Sequence, residues 1–307
     1  MSSGILCAEG HWDKIRARKP VQPGPTIKVL VADDVPGVSM EVRGRFNIFD
    51  PADGRRISTR FLGKKSYVQP LAEGIKWGEV FPGTYQIQIV PDHVDTITMI
   101  NDVEYTGTFY IYQIEGTLSI VNEVVVEDYI YSILTAQHND DYPEEATSAL
   151  VIAARSDACY AALHAQNDFY DVVGSKVGYC GRVVTRTGGP IYKAMKGTRG
   201  LILSRNRAYE GALVPVYTFA LVRDTGRDKI PTNWSLDKAH EMAAQGMNAS
   251  KILAALFPDT VIELMETLPS METLPSTDTV RTAQVLSGAQ GSIANGDGSP
   301  VAEDSFR

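Results

Sequence analysis

The sequence predicts an α+β fold. A β-rich N-terminal half packs against a C-terminal half with two main helices, and a disordered C-terminal tail follows. Three observations carry this expectation. From Ile27 to about Val121, apolar residues come in short runs or alternate at period two, the spacing of strands. From Val126 the spacing becomes helical, most clearly over residues 143–163. After Leu264 the chain turns to Ser, Gly, Ala, Asp and Asn, a composition that buries too little apolar surface to order itself.

Residues 1–25 mix charge with Pro20, Pro23 and Pro25 and read as an irregular lead-in. The domain proper spans 26–264, β-rich over 26–121 and helix-containing over 122–264. Ile27-Lys-Val-Leu-Val-Ala32 is a short buried run, Asp50-Pro-Ala-Asp-Gly54 a turn cluster, and Thr84-Tyr-Gln-Ile-Gln-Ile-Val90 alternates at period two. Tyr105-Thr-Gly-Thr-Phe-Tyr-Ile-Tyr112, with Gly116 and Leu118-Ser-Ile-Val121, predicts a hairpin that closes the β-rich part.

A short helix is expected from Val126 to Leu134, with Glu127 and Asp128 in its first turn. The strongest helix covers 143–163. Pro143 stands at its start, Glu144 and Glu145 lie in its first turn, and Ala146, Leu150, Ala153 (or Ala154) and Ala158 recur at helical spacing. A second main helix runs over 236–257 and is interrupted at Gly246. Between them, Leu213-Val-Pro-Val-Tyr-Thr-Phe-Ala-Leu-Val222 reads as a strand. Met265-Glu-Thr-Leu-Pro-Ser270 recurs unchanged as residues 271–276, and two copies are too few for a solenoid. Residues 265–307 therefore read as the tail.

The net charge of −8 argues against a partner held by its phosphates, so nucleic acid is not expected. No stretch reaches the roughly 18 apolar residues of a membrane span. Cys7, Cys159 and Cys180 are too few for a disulfide framework and lack zinc-site spacing. Gly188-Gly189-Pro190 lacks the lysine of a phosphate loop, and Ser156-Asp157 belongs to no nucleophile–base set. No cofactor and no metal are expected. Cys159, among helical alanines, reads as packed and inert. The first nine residues have no basic region and only a four-residue apolar patch, so they do not read as a signal peptide.

Leu118-Ser-Ile-Val-Asn-Glu-Val-Val-Val-Glu-Asp-Tyr-Ile-Tyr131, followed by Tyr142-Pro-Glu-Glu-Ala-Thr-Ser-Ala-Leu-Val-Ile-Ala-Ala-Arg155-Ser-Asp-Ala158, resembles the SpoIID/LytB family, the stage II sporulation protein D and amidase-enhancer group. Further pieces follow in the family's order: Tyr105-Thr-Gly107, Tyr170-Asp-Val172, Thr198-Arg-Gly200, Met242-Ala-Ala-Gln-Gly246 and Phe257-Pro-Asp-Thr260. The resemblance covers about 27–264 and implies a peptidoglycan substrate. It also implies lytic transglycosylase chemistry, in which one carboxylic acid protonates the glycosidic oxygen. That group then accepts a proton from the muramic 6-hydroxyl as a 1,6-anhydro ring closes.

The family's acid lies in "S-E-M-P", and the matching stretch here is Ala136-Gln-His-Asn139. Gln137 occupies the glutamate position and has no proton to donate. Loss of a general acid costs a factor of about 10² to 10⁴. The family's glycine-rich groove wall "G-H-G-x-G-M-S-Q-x-G-A" is matched by Lys229-Ile-Pro-Thr-Asn-Trp-Ser-Leu-Asp-Lys-Ala239, where only Ser235 and Ala239 survive. The Cys/His metal ligands of some members are absent. The groove is degenerate.

Arg155 matches an arginine the family needs beside its acid. It either reaches the groove or forms a structural ion pair with Glu123, Glu127 or Glu145. His138, near half-protonated at pH 6.5, and Asp140 or Asp141 are replacement acids. The bland alternatives are a solvated loop histidine and N-capping carboxylates. Tyr142, Glu145 and Ser235 complete the expected substrate groove.

These residues imply a protein that binds cell-wall glycan strands, with lytic cleavage weakened or lost, and acts beside cell-wall amidases or division proteins. The rivals are an active transglycosylase with a relocated acid and a protein-interaction module that lost the sugar. The resemblance implies a periplasmic or extracytoplasmic location, which requires an export signal upstream of this start.

Overall fold

The computed structural model describes residues 24–57, 64–138, 142–165, 167–205, 214–221 and 235–265. The expected disorder of the tail beyond Met265, the lead-in through Pro23, the candidate acids Asp140 and Asp141, and most of the degenerate groove wall lie outside the described residues.

Strand β1 (Thr26–Val35) turns Ile27 and Val29 inward with no exposed surface, while Lys28 between them points the other way. It lies in a seven-stranded sheet with β13 (Val172–Val173), β12 (Thr117–Val125), β11 (Thr108–Ile114), β8 (Gln86–Pro91), β3 (Phe46–Phe49) and β4 (Arg56–Ile57), in the order β13-β1-β12-β11-β8-β3-β4. A second sheet has the order β10 (Val103–Tyr105), β9 (Ile97–Ile100), β2 (Val38–Arg43), β5 (Ser66–Leu71), β6 (Gly74–Trp77) and β7 (Glu79–Pro82).

One face of the long sheet serves two cores. Ile87, Ile89, Phe109, Ile111, Leu118 and Ile120 meet Val38, Met40, Val68, Ile75 and Trp77 of the second sheet. Farther along, Ile27, Val29 and Val124 meet the helices. Register shifts in β1 between Leu30 and Ala32 and between Ala32 and Val35 bend the strand where one core gives way to the other.

The expected hairpin is present as β11 and β12, paired from Thr108↔Glu123 to Ile114↔Thr117. Tyr105 is not part of it. It pairs with Thr98 in the other sheet, because Gly107 breaks the run with φ of +91°.

Helix α1 (Val126–Gln137) follows β12 directly, and α2 (Glu144–Leu163) is the 20-residue helix the sequence predicts. Because α2 is surrounded, it is apolar nearly all round, and its polar residues serve the backbone of its neighbours. Ser156 Oγ accepts the Leu203 N–H at 2.8 Å, which positions β14 (Leu201–Arg205) beside β15 (Thr260–Leu264). Asp157 accepts the N–H groups of Thr218 and Leu221 and the Thr218 hydroxyl.

That arrangement changes one expectation. Residues 214–221 form no regular strand and make only an isolated bridge between Ser204 and Pro215. The Thr218 and Leu221 amides donate to the Asp157 side chain and the Val216 amide to Leu203 O, Pro215 has no N–H, and Phe219 has φ of +63°.

The short α3 (Gly174–Val177) and α4 (Pro190–Gly197) complete the wall around α1. The expected break at Gly246 divides the last helical stretch into α5 (Leu236–Ala244) and α6 (Ala249–Leu256), with Gly246 at φ of +85°. Met265, where the duplicated hexapeptide begins, is buried against Cys159 and Ile202. Burial pushes the Cys159 thiol up to about 12, so it stays protonated.

Candidate functional site

Helix α1 buries Tyr129, Ile130, Ile133 and Leu134 and leaves the opposite side free. Asp128, Tyr131, Thr135 and His138 fall on that side at i, i+3, i+7 and i+10, which aligns them along the helix. Two cavities border this row and share Tyr131. One, of about 200 Å³, lies between Tyr131, Thr135 and His138 on one wall and Arg186, Ile191 and Tyr192 on the other. The second, of about 340 Å³, lies between Asp128 and Tyr131 and the residues Thr106, Tyr179, Arg182 and Thr185.

The walls are held by buried polar contacts. Asn122 has no exposed surface, and its amide donates to the carbonyls of Thr106 at 2.9 Å and Thr108 at 3.3 Å. Its Oδ1 accepts the Tyr179 hydroxyl at 2.7 Å, so one side chain ties two walls of the larger cavity together. Gly107 brings the chain against β12, where an added Cβ would lie 2.2 Å from the Glu123 carbonyl oxygen. The Tyr131 hydroxyl accepts the Arg186 N–H at 2.9 Å and pins the opposite loop.

The electrostatics give these groups distinct roles. Burial pushes the Asp128 carboxyl up and the charge of Glu127 adds to it, while Thr106 and Arg182 pull the other way. Its side chain is exposed, so the Asp128 carboxyl opens onto the larger cavity. Burial pushes the His138 imidazole down from its ordinary value, which favours the neutral ring. Among the described residues, neither His138 Nε2 nor Thr135 Oγ1 has a hydrogen-bond partner. Both line the smaller cavity, where a ligand hydroxyl would satisfy them.

The other sequence-predicted residues are distributed as follows. Gln137 closes α1 on the inner side, where its Nε2 donates to Val177 O at 2.7 Å, and it lines neither cavity. Arg155 is fully buried and does not reach a groove. It pairs with Glu127 at 2.6 Å and 3.1 Å and donates to the carbonyls of Thr198 and Leu201. Glu123 instead takes hydrogen bonds from Thr26 and Tyr110.

Tyr142 stands between the rings of His138 and His240, with centroids at 6.3 Å and 6.0 Å. Glu145 accepts the Ala249 N–H at 2.6 Å and so caps α6. Ser235 is the N-cap of α5. The structure thus brings His138 and Tyr142 together and gives Glu145 and Ser235 structural hydrogen bonds. Sequence reasoning missed Asp128, Tyr131, Thr135 and Tyr179, although the spacing of the first three on one helix face was a usable signal.

Residues 114–204 match the family model described as stage II sporulation protein, SpoIID. Over these residues the chain is similar to the SpoIID domain. The match spans β12, α1 and α2 and includes every residue that lines the smaller cavity. The chain is 26% identical over 246 residues to an uncharacterised protein of Chlamydia pneumoniae, covering 79% of this chain and 83% of that one. It is 28% identical over 246 residues to an uncharacterised protein of Chlamydia muridarum, covering 79% of each. An uncharacterised Brachyspira hyodysenteriae protein is 28% identical over 134 residues, 44% of this chain and 36% of the relative.

Proposed function

We propose that this chain is an extracytoplasmic, cell-wall-related protein that binds peptidoglycan glycan strands along the outer face of α1, with lytic cleavage weakened or lost. One observation carries the reading. Beside the substituted acid position, a row of aromatic and hydrogen-bonding groups borders two cavities, and two of its polar atoms lack partners. Saccharides present both apolar C–H faces and hydroxyls, and this lining suits both. Cell-wall amidases or division proteins are the partners such a binder would serve.

Gln137 supports the loss of cleavage on physical grounds. Its amide N–H faces the Val177 carbonyl, a position an ionised carboxylate would not tolerate. A glutamate there would hold its proton, as a general acid must. A second reading is favoured by Asp128. Its raised carboxyl lies in the larger cavity and could supply the proton, in place of the relocated acids at His138, Asp140 or Asp141. The third reading, a protein-interaction module without sugar binding, has no such feature in its favour.

The test is co-sedimentation with amidase-treated and untreated glycan strands, together with mass spectrometry of the products. The wild type should bind and yield no 1,6-anhydro ends, and ends from Gln137→Glu alone would show that a carboxyl at this position reaches the bound strand. Products from the wild type that disappear in Asp128→Asn would establish the second reading. Failure to bind either strand preparation would overturn both.

A further inference from the structure

The outer face of the seven-stranded sheet carries a feature that the site on α1 does not use. Tyr110 and Tyr112 project from β11 as a parallel pair, with ring centroids at 6.1 Å and an interplanar angle of 4°. Their cross-strand partners on β8 are Gln88 and Gln86. Phe169, on a turn that Asn167 closes, meets Tyr112 edge-on at 4.9 Å. Tyr85 stands nearby, and a hydrogen bond from its hydroxyl to Ala72 O fixes its ring. A groove of about 380 Å³ runs between Asp50, Tyr85, Gln86, Tyr112, Gln113 and Phe169. Tyr85 and Phe169 remain 48% and 46% exposed, although aromatic rings of this size are ordinarily more buried.

We propose that this groove is a second saccharide-binding site, for an uncharged glycan whose hydroxyl or acetamido groups meet Gln86 and Gln113. The inference rests on the reading that the chain binds glycan strands. Rings held in fixed orientations offer flat apolar faces for sugar C–H groups at little entropic cost. Gln86 and Gln113 supply amides for hydroxyl and acetamido groups. Gln113 donates to Leu71 O and leaves its Oε1 without a partner among the described residues. Asp50 is the one acidic residue in the lining, and it lies 3.9 Å from Arg55, so the groove suits neither a polyanion nor a basic peptide.

The experiment is calorimetric titration of the full chain with the β-1,4-linked N-acetylglucosamine hexasaccharide. The wild type should bind two molecules per chain. Tyr85→Ala combined with Phe169→Ala should remove one of them, weakening that site by at least about tenfold, equivalent to about 1.4 kcal/mol. Phe169→Tyr should retain it, which separates loss of the ring from loss of the fold. Tyr131→Ala should remove only the site on α1.

If the Tyr85/Phe169 variant binds as the wild type does while Tyr131→Ala abolishes binding, the sheet site is overturned and the α1 reading stands. If binding depends on Tyr85 and Phe169 alone, the sheet site stands and the α1 reading falls. No binding by the wild type overturns both.

Discussion

Arg155 is one of the largest fully buried side chains, and its guanidinium is held by both oxygens of Glu127 and by two carbonyls. A charge enclosed in this way depends on its partners, because nothing else compensates the loss of water. Arg155→Ala leaves Glu127 without its counter-charge and frees the carbonyls of Thr198 and Leu201. The expected loss is about 3–5 kcal/mol of unfolding free energy, measured by urea denaturation. Arg155→Lys should recover only part of it, since an ammonium cannot reproduce the planar fork. If Arg155→Ala were as stable as the wild type but no longer bound glycan, the residue would act in binding and not in the fold. Gln137 is the contrasting residue, with one hydrogen bond at a helix end, so its replacement should change chemistry more than stability.

At the scale of elements, the turn between β10 and β11 sets one wall of the larger cavity. Gly107 has φ of +91°, and a Cβ would lie 2.2 Å from the Glu123 carbonyl oxygen. Gly107→Ala therefore faces both a disfavoured backbone conformation and a clash with β12. A destabilisation of at least about 1–3 kcal/mol is expected, read from the shift of the denaturation midpoint. A variant with an unchanged midpoint would mean that this turn relaxes freely and does not hold Thr106 in place. Helix α2 works differently. Its Ser156 and Asp157 accept backbone amides of the segments beside it, among them Thr218 and Leu221 of the irregular stretch 214–221.

At the scale of the whole molecule, Asp157 couples stability to pH. Burial raises its carboxyl to about 6 from an ordinary value near 3.8, despite the hydrogen bonds from Thr218 and Leu221 that oppose the shift. The folded state thus holds this proton to higher pH than the unfolded chain does. The associated stability is complete below about pH 4 and is lost as pH rises through 6, by about 3 kcal/mol in all. Asp157→Asn cannot ionise, so its stability relative to the wild type should rise across that window in urea melts at pH 4, 5, 6 and 7. A flat difference curve would refute the assignment. The succession of elements was legible in the sequence, because hydrophobic period and turn residues are local properties: the β11–β12 hairpin, α1, α2 and the break at Gly246 follow from neighbours a few residues apart. What only the tertiary structure decided was which polar groups meet. Arg155 finds Glu127 28 residues away, Asp157 finds Thr218 at 61, and Glu145 finds the α6 N-terminus at 104. A buried charge or amide takes whichever partner packing brings within hydrogen-bond reach, and no local pattern encodes that distance.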